Sequence, residues 1–288
     1  MAKTALITGA SSGIGYELSK RFAAEGYNPI LVARDEQKLN QLAADLDRIH
    51  DTKSLVLIQD LSDPAAPQSI FAALKRDGIT IDVLVNNAGT QVYGEFADVE
   101  LDRLLAMIQV NLTALTHLTG LLLPQMVERG SGRILNVAST GAYVPSPLNA
   151  VYCATKAYVL SFSEGLAAEL SGTGVSVTTL CPGATDTAFV TRHGLQDVRL
   201  FRYMMTPSQV ADIGYRALMR GQHVTVAGLG NRLQVMAFQL MAPFLPLIPP
   251  AALSRVGAYI MGRSSGSPHP QARRHDYHYD HTVQQTDH

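Results

Sequence analysis

TALITGASSGIG, residues 4 to 15, is the stretch on which the fold turns. TALIT, residues 4 to 8, is β-branched or apolar on both faces and predicts a buried strand. TGASSGIG, residues 8 to 15, follows at once and opens a segment with apolar residues at helical spacing from 15 to 25. Gly9, Gly13 and Gly15 would let the backbone turn tightly and approach a ligand without Cβ clashes. The free N–H groups of a starting helix, with its dipole, favour a phosphate there. A bare glycine cluster would be only a turn, and G-x-x-x-G-x-G differs from the general G-x-G-x-x-G spacing. A strand before and a helix after make it a dinucleotide-binding loop.

The same alternation continues along the chain. Strand-like runs lie at 28 to 33, 54 to 58, 82 to 85, 133 to 138, 175 to 180 and 223 to 227. Helical patterns fill 36 to 49, 64 to 77, 101 to 129, 151 to 170 and 207 to 220. Strands apolar on both faces and separated by helices call for a doubly wound parallel α/β sheet. Ligands in such sheets sit at the carboxyl ends of the strands.

Composition narrows the function classes. The net charge of −1 and the lack of a basic block before residue 270 speak against a nucleic-acid surface. Cys153 and Cys181, the two cysteines, cannot build a disulfide framework and read as reduced thiols. The start, MAKTALITG, enters a strand pattern without a signal-like apolar segment, so a cytoplasmic protein is expected. Residues 233 to 253 are strongly apolar but carry Pro243, Pro246, Pro249 and Pro250, which argue against a spanning helix. That segment is expected to cover a pocket or a subunit surface, or to lie on a membrane face. The polar tail from 264, rich in His, reads as solvated chain, and no metal site is expected.

Two pentapeptides place a tyrosine and a lysine four apart, YELSK from Tyr16 to Lys20 and YCATK from Tyr152 to Lys156. On a helix such a pair shares a face, so an ammonium could help the phenol shed its proton. Spacing alone does not choose between them. Ser139, where RILNVAS leaves the sheet, could donate to a substrate carbonyl, and GAYVPSPLN leads from it to the helix bearing Tyr152. Tyr16 has no such company and reads as a surface pair with Lys20. Tyr158 reads as packing.

The loop at 8 to 15, NNAG at 86 to 89, Asn111 in a helical segment, Ser139, YCATK and CPGATDT at 181 to 187 together resemble the short-chain dehydrogenase/reductase family, in order, over about residues 3 to 227. The resemblance implies a Rossmann-type doubly wound sheet of about seven strands in the order 3-2-1-4-5-6-7, with an apolar C-terminal extension. It implies a catalytic domain at 1 to 230 with a substrate loop at 184 to 206, then an extension at 231 to 263 and the tail at 264 to 288.

By the same resemblance Asn111, Ser139, Tyr152 and Lys156 form a catalytic tetrad, with Asn111 holding a water that links Lys156 to solvent. Ser11, Ser12 and Ile14 join the three glycines around the pyrophosphate. Asp60 beside Leu61 would hold the adenine amino group, and Asn87, Ala88 and Gly89 would pack against the adenosine. Pro182, Gly183, Thr185 and Thr187 would meet the nicotinamide carboxamide, and Tyr152 and Lys156 count among the cofactor contacts as well. Ala33 stands where users of NAD carry an acid, and Arg34 where users of NADP often carry a base, so NADP(H) is expected over NAD(H) despite Asp35 nearby.

The expected activity is hydride transfer between NADP(H) and a small-molecule carbonyl or secondary alcohol. Phe189, Phe201, Tyr203, Met204 and Met205 suggest an apolar substrate or simply core packing. The rival readings are an NADP-binding regulatory or scaffolding protein and a membrane-associated ketoreductase of lipid-like substrates. A homodimer or homotetramer paired through the helices at 101 to 129 and 151 to 170 is implied.

Overall fold

The computed structural model describes residues 2 to 187 and 204 to 241, the side chain of Met241 excepted. Phe189, Phe201, Tyr203 and the tail therefore lie outside the described residues. Seven strands form one parallel sheet in the order β3-β2-β1-β4-β5-β6-β7. They are β1 Thr4–Thr8, β2 Asn28–Ala33, β3 Leu55–Ile58, β4 Val83–Asn86, β5 Gly132–Val137, β6 Val175–Cys181 and β7 Val224–Val226. The helices are α1 Gly13–Ala24, α2 Glu36–His50, α3 Ala66–Arg76, α4 Leu101–Ile108, α5 Ala114–Glu128, α6 Ala150–Glu169, α7 Pro207–Met219 and α8 Leu229–Met241.

Parallel pairing forces each connection to cross a face of the sheet, so both faces are covered, the edge strand β3 excepted, where Ile58 is exposed. One core gathers Leu18, Phe22, Leu39, Leu46, Val210 and Leu218 against Ile7, Leu31 and Val85. The other gathers Ile70, Leu74, Leu118, Leu122 and Met126 against Leu6, Leu84 and Ile134. The stretch Leu101–Glu128 is long and apolar enough to cross a membrane by length and composition. Leu118, Leu122 and Met126 instead spend that apolarity on the sheet.

The helix expected at 101 to 129 is interrupted. Gln109–Thr113 winds as a π turn between α4 and α5, and Asn111 sits in it. A π turn is a single extra residue in the ladder, which hydropathy periodicity does not register. α8 begins at Leu229, two residues before the expected extension, and the helix runs to Met241, just short of Pro243. The four prolines lie outside the described residues.

A buried polar chain ties the layers together behind the site. Asn86 Nδ2 donates to Thr119 Oγ1 at 3.1 Å and to Asn136 Oδ1 at 2.9 Å, and Asn136 Nδ2 donates to Ser163 Oγ at 2.9 Å. Asn136 has no exposed surface. Asn136→Ala is expected to remove two of these bonds and destabilise by about 2 to 3 kcal/mol, seen as a Tm lower by about 5 °C in a thermal melt.

Candidate active site

The carboxyl ends of β1, β2, β4, β5 and β6 open on a cavity of about 1010 Å³. Gly9, Ser11, Ser12, Gly13 and Ile14 form one wall. Gly9 and Gly13 have φ of +69° and +59°, the left-handed region that a side chain disfavours. Ser12, the N-cap of α1, makes no side-chain cap, and no acid occupies the first turn. The opening amides of α1 are thus left for an anion, which fits a pyrophosphate.

Gly15 is outside the cavity lining and works differently from the sequence reading. A Cβ there would overlap the Gly9 carbonyl oxygen and the Asn87 amide, so it serves close packing of loop on sheet. Asn87 closes the same contact from the other side. Its Nδ2 donates to the carbonyl oxygens of Thr8 at 2.9 Å and Gly9 at 3.3 Å. Its own N–H and that of Ala88 donate to Thr8 Oγ1 at 3.0 and 2.9 Å. Asn87, Ala88 and Gly89 line the cavity, with the Asn87 amide turned onto the glycine loop.

Arg34, Asp60 and Leu61 also line it. Arg34 and Asp60, expected to meet different parts of a cofactor, face each other at 3.4 Å, both largely exposed. Burial alone would push the Asp60 carboxyl up, but hydrogen bonds from Ser62 and the Arg34 charge hold it below its ordinary value. Asp35, the acid that complicated the cofactor reading, caps α2 by accepting from the Lys38 N–H at 3.1 Å, and it pairs with Lys38 Nζ at 2.5 Å. Lys38 lines the cavity as a second cation beside Arg34. Its place three residues after an N-cap Asp was the signal available in the sequence.

Ser139 lies two residues beyond β5 and caps the short 3₁₀ turn Thr140–Tyr143, its Oγ accepting from Gly141 N–H at 3.0 Å. The Thr140 N–H donates to the Pro182 carbonyl at 2.8 Å, fixing that turn to the end of β6. Pro145 and Pro147 steer the chain to α6, where Tyr152 is hydrogen-bonded to Ser139. Burial pushes the Tyr152 phenol up to about 12, and the Ser139 bond works against that rise. Lys156, 5% exposed, donates to the Val137 carbonyl at 2.9 Å, and burial pulls its ammonium down to about 8.

Lys156 Nζ lies 5.9 Å from the Tyr152 ring centre and is not among the causes of the phenol's shift, so the cofactor-free protein keeps Tyr152 a proton holder. Lys20 is closer to its own tyrosine, 5.3 Å from the Tyr16 ring centre, yet pairs with Glu17 at the surface, and neither Tyr16 nor Lys20 lines the cavity. Tyr158, at the α6 surface, stacks on Phe162.

Asn111 is also outside the cavity lining. Its Oδ1 accepts from Thr90 N–H at 2.8 Å, and its Nδ2 donates to the Thr90 carbonyl at 2.9 Å and Thr155 Oγ1 at 3.2 Å. The amide is committed to protein and pins the loop after β4 beside Lys156, both groups flanking Gly89.

Pro182, Gly183, Thr185 and Thr187 line the far wall. A Cβ on Gly183 would strike Asn231 of α8, so that helix seats on the loop through glycine. Gln234 and Phe238 of α8 reach the cavity, as do Val92, Met107 and Val144. The buried pair Gln91 and Asn149, joined at 2.6 Å, also faces it and carries no motif that could have announced it. Among the described residues no group of three His, Cys, Asp or Glu could hold a metal ion.

The family model for the short chain dehydrogenase matches residues 3 to 197. The chain belongs to the short-chain dehydrogenase family. This short-chain dehydrogenase is 37% identical to sulfoacetaldehyde reductase 2 of Chromohalobacter salexigens over 82% of its length and 94% of the relative's. A short-chain dehydrogenase from Sphingobium yanoikuyae solved in complex with NADPH is 34% identical, with a TM-score of 0.75 over 86% of this chain and 97% of that one. The bulky-bulky ketone specific alcohol dehydrogenase from Comamonas testosteroni is 30% identical, with a TM-score of 0.71 over 86% and 96%. Family membership makes this short-chain dehydrogenase an oxidoreductase.

Proposed function

We propose that the protein transfers a hydride between NADP(H) and a carbonyl or secondary alcohol carried by a largely apolar small molecule. The observation that carries this reading is the Ser139–Tyr152 hydrogen bond at the carboxyl end of β5, facing the glycine loop across one cavity. A bound nicotinamide supplies or takes the hydride.

The protein's own groups handle the oxygen and the proton. Ser139 Oγ accepts from Gly141 and is bonded to Tyr152, and its hydroxyl would turn its hydrogen onto a substrate carbonyl oxygen placed between them. Tyr152, protonated at neutral pH, delivers the phenol proton to that oxygen as negative charge develops on it. Lys156, anchored on the Val137 carbonyl, favours the phenolate left behind. Asn111 positions the loop after β4 beside Lys156. Val92, Met107, Val144 and Phe238 support the apolar substrate class. Exposed Leu101 and Leu105 on α4 and Tyr158 on α6 support pairing through those helices in a homodimer or homotetramer.

NADPH consumption across a panel of ketones and aldehydes tests the reading. Tight NADPH binding without turnover of any of them would assign the chain to the binding proteins. Cofactor choice has its own measurement. Arg34→Ala is expected to weaken NADPH binding by about 10-fold or more while leaving NADH affinity within about twofold, read by fluorescence titration. Equal losses for both cofactors would remove Arg34 from phosphate recognition.

A further inference from the structure

We propose that the outer face of α8 docks the protein on an anionic lipid bilayer. The helix is sided in an unusual way. Val235 is 4% exposed, Gln234 and Phe238 line the cavity, and Asn231 packs on Gly183. At 100° per residue, Leu229, Leu233, Met236 and Leu240 fall on the opposite side in a narrow stripe. They are 73%, 54%, 53% and 68% exposed. An inward face filled by the site and an outward face of leucine and methionine leave only a narrow polar flank, Arg232 and Gln239, to water.

Charge identifies the occupant. After Asp212 the next acidic residue is Asp276, and seven arginines lie between them, Arg232 on the helix itself. The average composition would put about five acids in a stretch of that length. Residues 242 to 253, APFLPLIPPAAL, continue the apolar character with no charge at all. An apolar helix face that carries Arg232, in a stretch of sequence rich in arginine and free of acids, matches a bilayer interface, where arginines meet anionic headgroups. A second copy of the chain fits worse, because a two-fold contact through α8 would set Arg232 and this one-signed stretch of sequence against themselves. The inference is independent of the hydride-transfer reading. Its consequence is positional: the helix that lines the cavity would also be the one lying on lipid.

Cosedimentation of the full chain with vesicles tests it. Retention is expected on phosphatidylcholine mixed with phosphatidylglycerol, with release by salt, and little is expected on phosphatidylcholine alone. The double variant Leu233→Asp, Met236→Asp should partition at least about tenfold more weakly, with its thermal melt checking that it folds. Arg232→Glu leaves the apolar stripe intact and should weaken retention several-fold, which keeps the test decisive if the double variant is unstable. Val127→Asp, an exposed apolar position on α5, should change nothing. Binding to neither vesicle, equal binding to both, or binding unaffected by the α8 variants overturns the proposal. A double variant that breaks up an oligomer in a chain that never binds vesicles would assign the stripe to a second copy.

Discussion

Tyr152→Phe is expected to lower turnover by about two to four orders of magnitude while NADPH affinity stays within about twofold. The variant keeps the ring, and with it the packing of Tyr152 against Val92 and Met107, and deletes only the hydroxyl bonded to Ser139. Tyr16→Phe is the matched control, since Tyr16 has the same four-residue spacing to a lysine and a shorter ring-to-ammonium distance. It should keep most activity. Comparing kcat and cofactor affinity for the two variants separates chemistry from spacing, and equal losses would mean that the hydroxyl beside Ser139 is not the proton source.

Lys156→Met should give the second large effect, loss of turnover together with a gain in stability. The ammonium is buried, with its pKa lowered from 10.5 to about 8. Both folded and unfolded chains are protonated below pH 8, so folding there must bury the charge, at a cost of about 3 kcal/mol from the 1.36 kcal/mol per pKa unit. The Val137 carbonyl loses its donor in the variant, which takes back about 1 kcal/mol. The net gain of about 2 kcal/mol at pH 7 would raise Tm by about 4 °C. As pH climbs from 8 to 10.5 the folded protein sheds this proton before the unfolded chain does, so the wild type recovers and the advantage shrinks toward nothing. Melts of the cofactor-free proteins at pH 7 and pH 10 check the sign. An advantage that grew with pH would contradict the burial of a charged Lys156.

The fold was legible because its signals are local and repeated. Each strand is a short apolar run and each helix a periodic one, which makes the parallel sheet legible, while its strand order came with the family resemblance. The positions of Ser139, Tyr152 and Lys156 were legible for the same reason, each tied to the end of a strand or to a helix face. Partnerships were not. Nothing in LVARDE or QDLSD says that Arg34 and Asp60 will face each other, because that contact depends on how β2 and β3 end in space. Burial is equally silent in the sequence: four-residue spacing reports a shared face and says nothing of the burial that dominates both Tyr152 and Lys156. The π turn at Asn111 and the pair Gln91 and Asn149 lack any periodic signature.

The place of β1 in the sheet has a consequence for synthesis. β1 pairs with β2 on one side and with β4 on the other, Ala5 opposite Val83. β2 follows one helix later and can pair while the chain is still short, but β4 emerges only after two more crossovers. At roughly 5 to 20 residues per second, the second edge of β1 stays open for about 4 to 16 s on the ribosome. An unpaired strand edge with an apolar centre is the surface on which chains join wrongly. Asp82 and Asn87 then close both ends of that seam, accepting from the Thr4 N–H at 2.8 Å and donating to the Thr8 carbonyl at 2.9 Å. The clasp that shapes the cofactor loop is therefore also the lock on the most delayed pairing of the nascent sheet's first strand.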